Sequence, residues 1–140
     1  YPFILIPGNG LALQKPVYVE DLSWAIVESI LNKNTIKRIF NISGKENISF
    51  NSIINIIEDK LKKRTYKIYL SKRFCLYITQ IFEFFRLNLP LKSEQIRRIN
   101  EDKLFSNKDA INLIKYSPIK FESAISKEIF LFNNIRIKNK

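Results

Sequence analysis

Few residues of this 140-residue sequence can do chemistry, and their spacing limits what that chemistry is. Tyr116-Ser117-Pro118-Ile119-Lys120 has Tyr-x-x-x-Lys spacing. On a helix that spacing sets an ammonium beside a phenol and lets the phenol trade a proton. Pro118 lies inside the string and drives Ser117 toward extended backbone, so the two side chains do not share a helix face and the string is not read as catalytic. Gly8-Asn9-Gly10 follows a strand-like run. A dinucleotide turn needs a third glycine and a helix N-terminus facing the pyrophosphate; Leu13 stands in the third position and extended sequence follows, so a simple turn is predicted. The remaining candidates are polar or cationic. Gln14 and Lys15 offer an amide and an ammonium to a diphosphate, and the adjacent Arg97 and Arg98 offer a guanidinium able to grip phosphate bidentately. These four are the candidate substrate contacts. Asp21 is better explained as a helix cap than as an acid catalyst, and Asn41 as a structural amide. No catalytic, cofactor-binding or metal-binding residue is predicted. Histidine is absent and Cys75 is the single cysteine, which excludes a disulfide within the chain and a Cys/His zinc site.

The net charge is +11, which by itself suggests a polyanionic partner. The basic residues are dispersed, however, and no basic run exceeds Lys62-Lys63-Arg64. A nucleic-acid face needs clustering, so none is predicted. The most apolar segment, Phe74 to Leu87, contains Gln80 and Glu83 and is shorter than the roughly 20 apolar residues a membrane span needs. It is read as a buried or interfacial helix. No signal peptide is evident, and the lone cysteine fits a reducing cytoplasm.

The elements that must position the candidates alternate between strand and helix. Residues 3–6 read as a strand entering a turn at Pro7 to Gly10, and residues 16–19 as a second extended piece. Asp21 reads as the N-cap of a helix ending at Asn32 to Asn34, with Leu22, Ala25, Ile26, Ser29 and Ile30 on its inward face. Residues 38–42, β-branched and aromatic, read as a strand closed by Ser43-Gly44. Ser49 caps a helix whose Phe50, Ile53, Ile54, Ile57 and Leu61 share a face, with Glu58, Lys60 and Lys62 outside. A strand is predicted at 66–70, and then a long helix at 72–87 stopped by Asn88 and Pro90. A helix from Ser93 to Ile99 follows. A capping box over Ser106 to Asp109 opens a helix to Ile114, and a final amphipathic helix spans 121–132. The fold class is α/β, with residues 1–132 as one unit and 133–140 as a basic polar tail. A chain that opens inside a strand, with no methionine anywhere, suggests a piece of a longer protein.

Four stretches, in order, resemble the C-terminal portion of the extended short-chain dehydrogenase/reductase family, the NAD(P)-dependent epimerases, dehydratases and reductases of nucleotide sugars. The first is Ile6-Pro7-Gly8-Asn9-Gly10 with Pro16-Val17-Tyr18-Val19-Glu20-Asp21-Leu22. The second is Phe40-Asn41-Ile42-Ser43-Gly44 with Ile48-Ser49-Phe50. The third is Pro90-Leu91 through Gln95-Ile96-Arg97-Arg98 and on to Asp102-Lys103-Leu104-Phe105. The fourth is Ala110 through Pro118, with Phe121 to Ile125. Members of that family carry an arginine where Gln14 and Lys15 stand, and a glycine where Lys115 stands.

The resemblance implies an α/β substrate-binding part of an extended Rossmann-type enzyme with few short strands and several helices. It implies reversible hydride transfer at a sugar carbon, with NAD or NADP and a Tyr-Lys pair supplied by an N-terminal Rossmann half outside this sequence. The expected partners are a nucleotide sugar, that N-terminal half and a second copy in a homodimer; the 140 residues alone are expected to be inactive. The alternative is a non-catalytic interaction module that binds a partner protein or a membrane surface through the apolar helix 74–87, flanked by Lys72, Arg73 and Arg86.

Overall fold

The structure is a computed structural model that describes residues 3–85 and 92–138, with side chains to residue 135. The element order is β1 (Phe3–Pro7), β2 (Leu13–Gln14), α1 (Val19–Leu31), a 3₁₀ turn (Lys33–Thr35), β3 (Ile48–Ser49), α2 (Phe50–Leu61), β4 (Tyr66–Leu70), α3 (Lys72–Phe84), α4 (Ser93–Ile99), α5 (Lys108–Ile114) and α6 (Phe121–Lys138). The result is a mixed α/β chain with six α-helices and few short strands among the described residues. Two compact units result, each assembled from two separated stretches: unit 1 from residues 1–14 and 49–103, unit 2 from residues 15–48 and 104–140. The chain passes from one to the other without a linker-like composition, which is why the sequence reads as continuous.

In unit 1, β1 and β4 pair in parallel, with Phe3 opposite Tyr66 and Pro7 opposite Leu70. Side chains alternate across a strand, and in this register Phe3, Leu5, Tyr66 and Ile68 fall on one face. All four are exposed. The other face carries Ile6, which is fully buried. Gly8 and Gly10 take φ of +89° and +66° in the turn after β1. Side chains tolerate that backbone poorly, and a Cβ at either site would overlap the amide of Asn100 or of Asn51. The glycines thus make a turn that leads into β2 and its pairing with β3; no helix starts there. The N–H groups of Phe50 and Asn51 donate to the carbonyls of Ala12 and Gly10.

Ser49 caps α2 as expected, its Oγ accepting from Ser52 N at 3.1 Å. Glu58, expected to face water, instead reaches back to β4. It accepts from Thr65 N at 3.1 Å and from the Thr65 hydroxyl, and lies 3.4 Å from Lys67 Nζ. These bonds lower its carboxyl pKa, the Thr65 hydroxyl contributing most. Ser71 Oγ caps α3, and α3 packs on α4. Glu83, a polar break in the apolar segment, accepts from Ser93 N at 2.9 Å and Ser93 Oγ at 3.1 Å, tying the two helices together. Asn88 and Pro90, expected to stop α3, and the flanking Arg86 lie outside the described residues. Cys75 is buried, and burial pushes its thiol pKa up, so it is not a poised nucleophile.

Unit 2 departs from expectation at four places. Residues 16–18 are irregular, because Val19 already begins α1 and no strand among the described residues pairs with them. Asp21 is not the N-cap: Tyr18 is, without a side-chain bond. The Asp21 carboxylate lies inside the first turn and accepts from Ile119 N at 2.9 Å, which fixes the approach to α6. Residues 38–42 alternate correctly, with Phe40 and Ile42 packed on the core and Ile39 and Asn41 exposed. They form no strand, since no neighbouring strand among the described residues completes a ladder. Finally, α1 buries only part of its expected inward face. Ala25 is buried and Ser29 half-buried, whereas Leu22, Ile26 and Ile30 are exposed, Ile30 to 77%. The core of unit 2 is Ala25, Ala110, Ile114 and Tyr116, flanked by Phe40, Ile42 and Leu113. Helix α6 continues past its expected end at Phe132 to Lys138.

Candidate functional site

One concavity of unit 2 is built around a backbone clip. The Asn107 side chain enters the Ser43-Gly44 turn, where its Oδ1 accepts from Ser43 N at 2.9 Å and its Nδ2 donates to the carbonyls of Ser43 at 2.8 Å and Gly44 at 2.9 Å. Ser43 Oγ stands 2.7 Å from Asn107 Oδ1 and 3.0 Å from the Phe105 carbonyl. Tyr116 donates its hydroxyl to the Ser43 carbonyl at 3.2 Å. Gly44 N donates to the Lys15 carbonyl at 3.1 Å, and a Cβ at Gly44 would overlap the Pro16 carbonyl oxygen. Glycine is therefore required here by close approach of two backbones. One side-chain amide pairs three backbone groups at this junction, and a buried group left unpaired costs about 1–3 kcal/mol. Asn41, the amide expected at this junction, is exposed. The expected Ser106–Asp109 capping box is absent because Asn107 takes the N-cap position of α5 while its side chain is held in the turn. Ser106 contributes only a 3.3 Å bond from Lys108 N.

Beside the clip lies a cavity of about 660 Å³ whose walls carry Lys15, Lys45, Lys108 and Lys115. Lys108, Ile111, Asn112 and Lys115 are spaced i, i+3, i+4, i+7 and so lie along one face of α5. Lys115 ends that helix with φ +59°, the left-handed backbone that glycine favours. Asn107 and Tyr116 form the buried floor.

The four predicted site residues divide between the units. Lys15 belongs to unit 2, where its Nζ donates to the Phe105 carbonyl at 2.8 Å and it lines the cavity. Gln14, Arg97 and Arg98 belong to unit 1. Gln14 Nε2 donates to the Glu101 carbonyl at 3.1 Å, just beyond the end of α4. Arg97 and Arg98 are both exposed on α4, and Arg98 pairs with Glu94 one turn away at 2.6 Å. Within unit 1, Gln14 and the two arginines are thus gathered around the C-terminal end of α4. Lys45, Asn107, Lys108 and Lys115 were missed as site residues. The helical spacing of Lys108 and Lys115 was legible, but Asn107 finds its partner 64 residues away, a pairing no local pattern displays.

Neither sequence decoy has catalytic geometry. Tyr116 is buried in the core and its pKa is pushed up to about 12, by burial first and then by the charge of Asp21. A phenol that trades protons near neutrality needs the opposite shift. Lys120 is exposed and does not share a helix with it. No group of three or more acidic, cysteine or histidine side chains suited to a metal occurs among the described residues. Among the same residues no helix is long and apolar enough to cross a membrane.

No family model and no curated protein matches the sequence. Solved structures do match the fold. UDP-glucuronic acid 4-epimerase from Bacillus cereus, in complex with NAD, superposes with a TM-score of 0.62 at 20% identity, over 89% of this chain and 32% of that one. Triphenylmethane reductase from Citrobacter sp., complexed with NADP(H), gives 0.61 at 15% identity, over 88% of this chain and 44% of that one. RMD from Pseudomonas aeruginosa, complexed with NADPH, gives 0.60 at 9% identity, over 90% and 33%. The chain spans less than half the length of each of these proteins. Nearly all of it therefore has the fold of one part of NAD(P)-binding epimerases and reductases.

Proposed function

We propose that this chain is the substrate-binding, C-terminal part of an NAD(P)-dependent epimerase, dehydratase or reductase acting on a nucleotide sugar. The observation that carries the reading is the asymmetry of the fold match: about nine-tenths of this chain against a third to less than half of enzymes solved with NAD or NADP(H). The bare faces support it. A parallel sheet is normally covered on both sides, yet Phe3, Leu5, Tyr66 and Ile68 are open on one side of β1 and β4. The stripe Leu22, Ile26 and Ile30 on α1 is open as well. An N-terminal Rossmann half would cover such faces and bring the glycine-rich fingerprint and the Tyr-Lys pair. Gln14, Lys15, Arg97 and Arg98 are assigned to the phosphates and sugar of the substrate. NAD or NADP is bound by the intact enzyme and not by this part. Residues 1–132 form the substrate-binding portion, and the enzyme works in the cytoplasm.

The test is an NMR titration of the purified chain with UDP-glucose and, separately, with NAD and NADP. The expected outcome is weak binding of the nucleotide sugar, with amide shifts at Gln14 and Arg97, lost in Arg97→Ala/Arg98→Ala, and no response to either dinucleotide. Turnover of a nicotinamide cofactor by these 140 residues, or dinucleotide shifts without nucleotide-sugar shifts, refutes it.

A second reading, a non-catalytic module, draws on α3. Its Phe74, Tyr77, Ile81, Phe84 and Phe85 are all exposed along one side, a surface suited to a partner protein or a membrane. A chain that is monomeric, melts cooperatively and ignores nucleotide sugars would favour this reading.

A further inference from the structure

We infer that the lysine-walled cavity of unit 2 is an anion site for a small soluble molecule bearing a phosphate or diphosphate. This goes beyond the function proposed above and shares only Lys15 with it. Lys15, Lys45, Lys108 and Lys115 surround about 660 Å³, a volume in the usual range for small-ligand sites. No aspartate or glutamate lines the cavity. Three cations outside the cavity have carboxylate partners: Lys67 with Glu58, Arg98 with Glu94 and Lys127 with Glu20. Lys45, Lys108 and Lys115 have no such partner among the described residues. Four like charges around one hollow repel one another, and a multivalent anion at its centre adds an attraction to each of them that offsets this repulsion.

The site is also built to stay open. Its floor is the Asn107 clip and the Tyr116 hydroxyl bond, both buried and fully paired. Lys15 is anchored through one N–H to the Phe105 carbonyl; an ammonium has three donors, so two remain for a ligand. Lys108 and Lys115 hold the two ends of one helix face, with Ile111 and Asn112 between them. Ile111 and Pro118 supply an apolar wall, which suits the carbon skeleton of a phosphate ester. A concave hollow with an apolar wall beside its lysines fits a single soluble ester better than the planar array of headgroups on a lipid surface.

The experiment titrates the whole chain with inorganic pyrophosphate, followed by backbone amide shifts, at constant ionic strength. Shifts centred on Lys45, Ile111, Asn112 and Lys115 are expected. Lys108→Ala and Lys115→Gly should each weaken binding about tenfold, the loss of one charge-assisted contact. Lys115→Gly also relieves a left-handed backbone, so it should raise the melting temperature while lowering affinity, which separates lost binding from lost folding. Lys127→Ala, away from the cavity lining, should leave the affinity unchanged. Equal losses in all three variants, or none in the first two, would overturn the inference. So would binding to vesicles containing phosphatidic acid that depends on Lys108 and Lys115 with no response to pyrophosphate, which assigns the lysines to a lipid surface. The Arg97/Arg98 variant keeps the outcomes apart, because it abolishes the nucleotide-sugar response and leaves the pyrophosphate response intact.

Discussion

Tyr116 shows how one side chain can look reactive in sequence and be structural in space. Its ring stacks on Trp24 with centroids 6.4 Å apart, and its hydroxyl ties down the Ser43 carbonyl. A tyrosine in the unfolded chain ionises near pH 10, whereas this one holds its proton to about pH 12. Between those values the unfolded chain has released a proton that the folded chain keeps. Stability is therefore undiminished below about pH 10 and falls as pH rises toward about 12. Tyrosinate absorbance should show a last step near pH 12 in the folded protein, absent from Tyr116→Phe; persistence of that step would assign it to another phenol. Pro118 was enough to exclude a helical Tyr-x-x-x-Lys from the sequence, since its effect on the preceding residue is local. The role of Asn107 was not legible, because the backbone groups it satisfies lie in a turn far away along the chain.

Helix ends separate what local chemistry dictates from what packing decides. Helices α2 and α5 both stop at a lysine in left-handed backbone, Lys62 at φ +52° and Lys115 at φ +59°. Glycine is the favoured residue at such a position. Lys62→Gly should stabilise unit 1 by about 0.5–1 kcal/mol, read as a higher urea midpoint with an unchanged m-value; a lower midpoint would mean that the Lys62 side chain contributes to packing. Strand β4, α4 and the Ser49 cap were legible to the residue, because alternation, periodicity and a capping hydroxyl are local signals. Residues 38–42 have the alternation of a strand without a partner to complete it, and being a strand is a property of two segments. Helix α1 keeps only part of its expected inward face for a related reason. An apolar stripe marks a surface to be covered without saying by what, and here the nearer core took Ala25 and Ser29 and left Ile26 and Ile30 outside.

For the whole molecule, the bare faces of the two units dominate behaviour in solution. A net charge of +11 favours dispersal, while exposed isoleucine, phenylalanine and tyrosine favour association. Ile26→Glu/Ile30→Glu should reduce concentration-dependent association in sedimentation velocity and leave the melting temperature within about 2 °C, as expected of surface positions. A large loss of melting temperature would show that the α1 stripe packs within the chain. The division of each unit into two stretches also sets an order in time. As a nascent chain emerges, unit 1 has all its residues once Lys103 is out, whereas residues 15–48 must wait for Asn107 and α5 before the Ser43-Gly44 turn can be clipped. At ordinary rates of synthesis the interval between Gly44 and Ile114 lasts roughly 4–14 s. Through that interval the Ser43-Gly44 junction stays unclipped and Ala25 lacks the α5 side of its core, so the stretch from Leu22 to Gly44 waits on the ribosome without its packing partners.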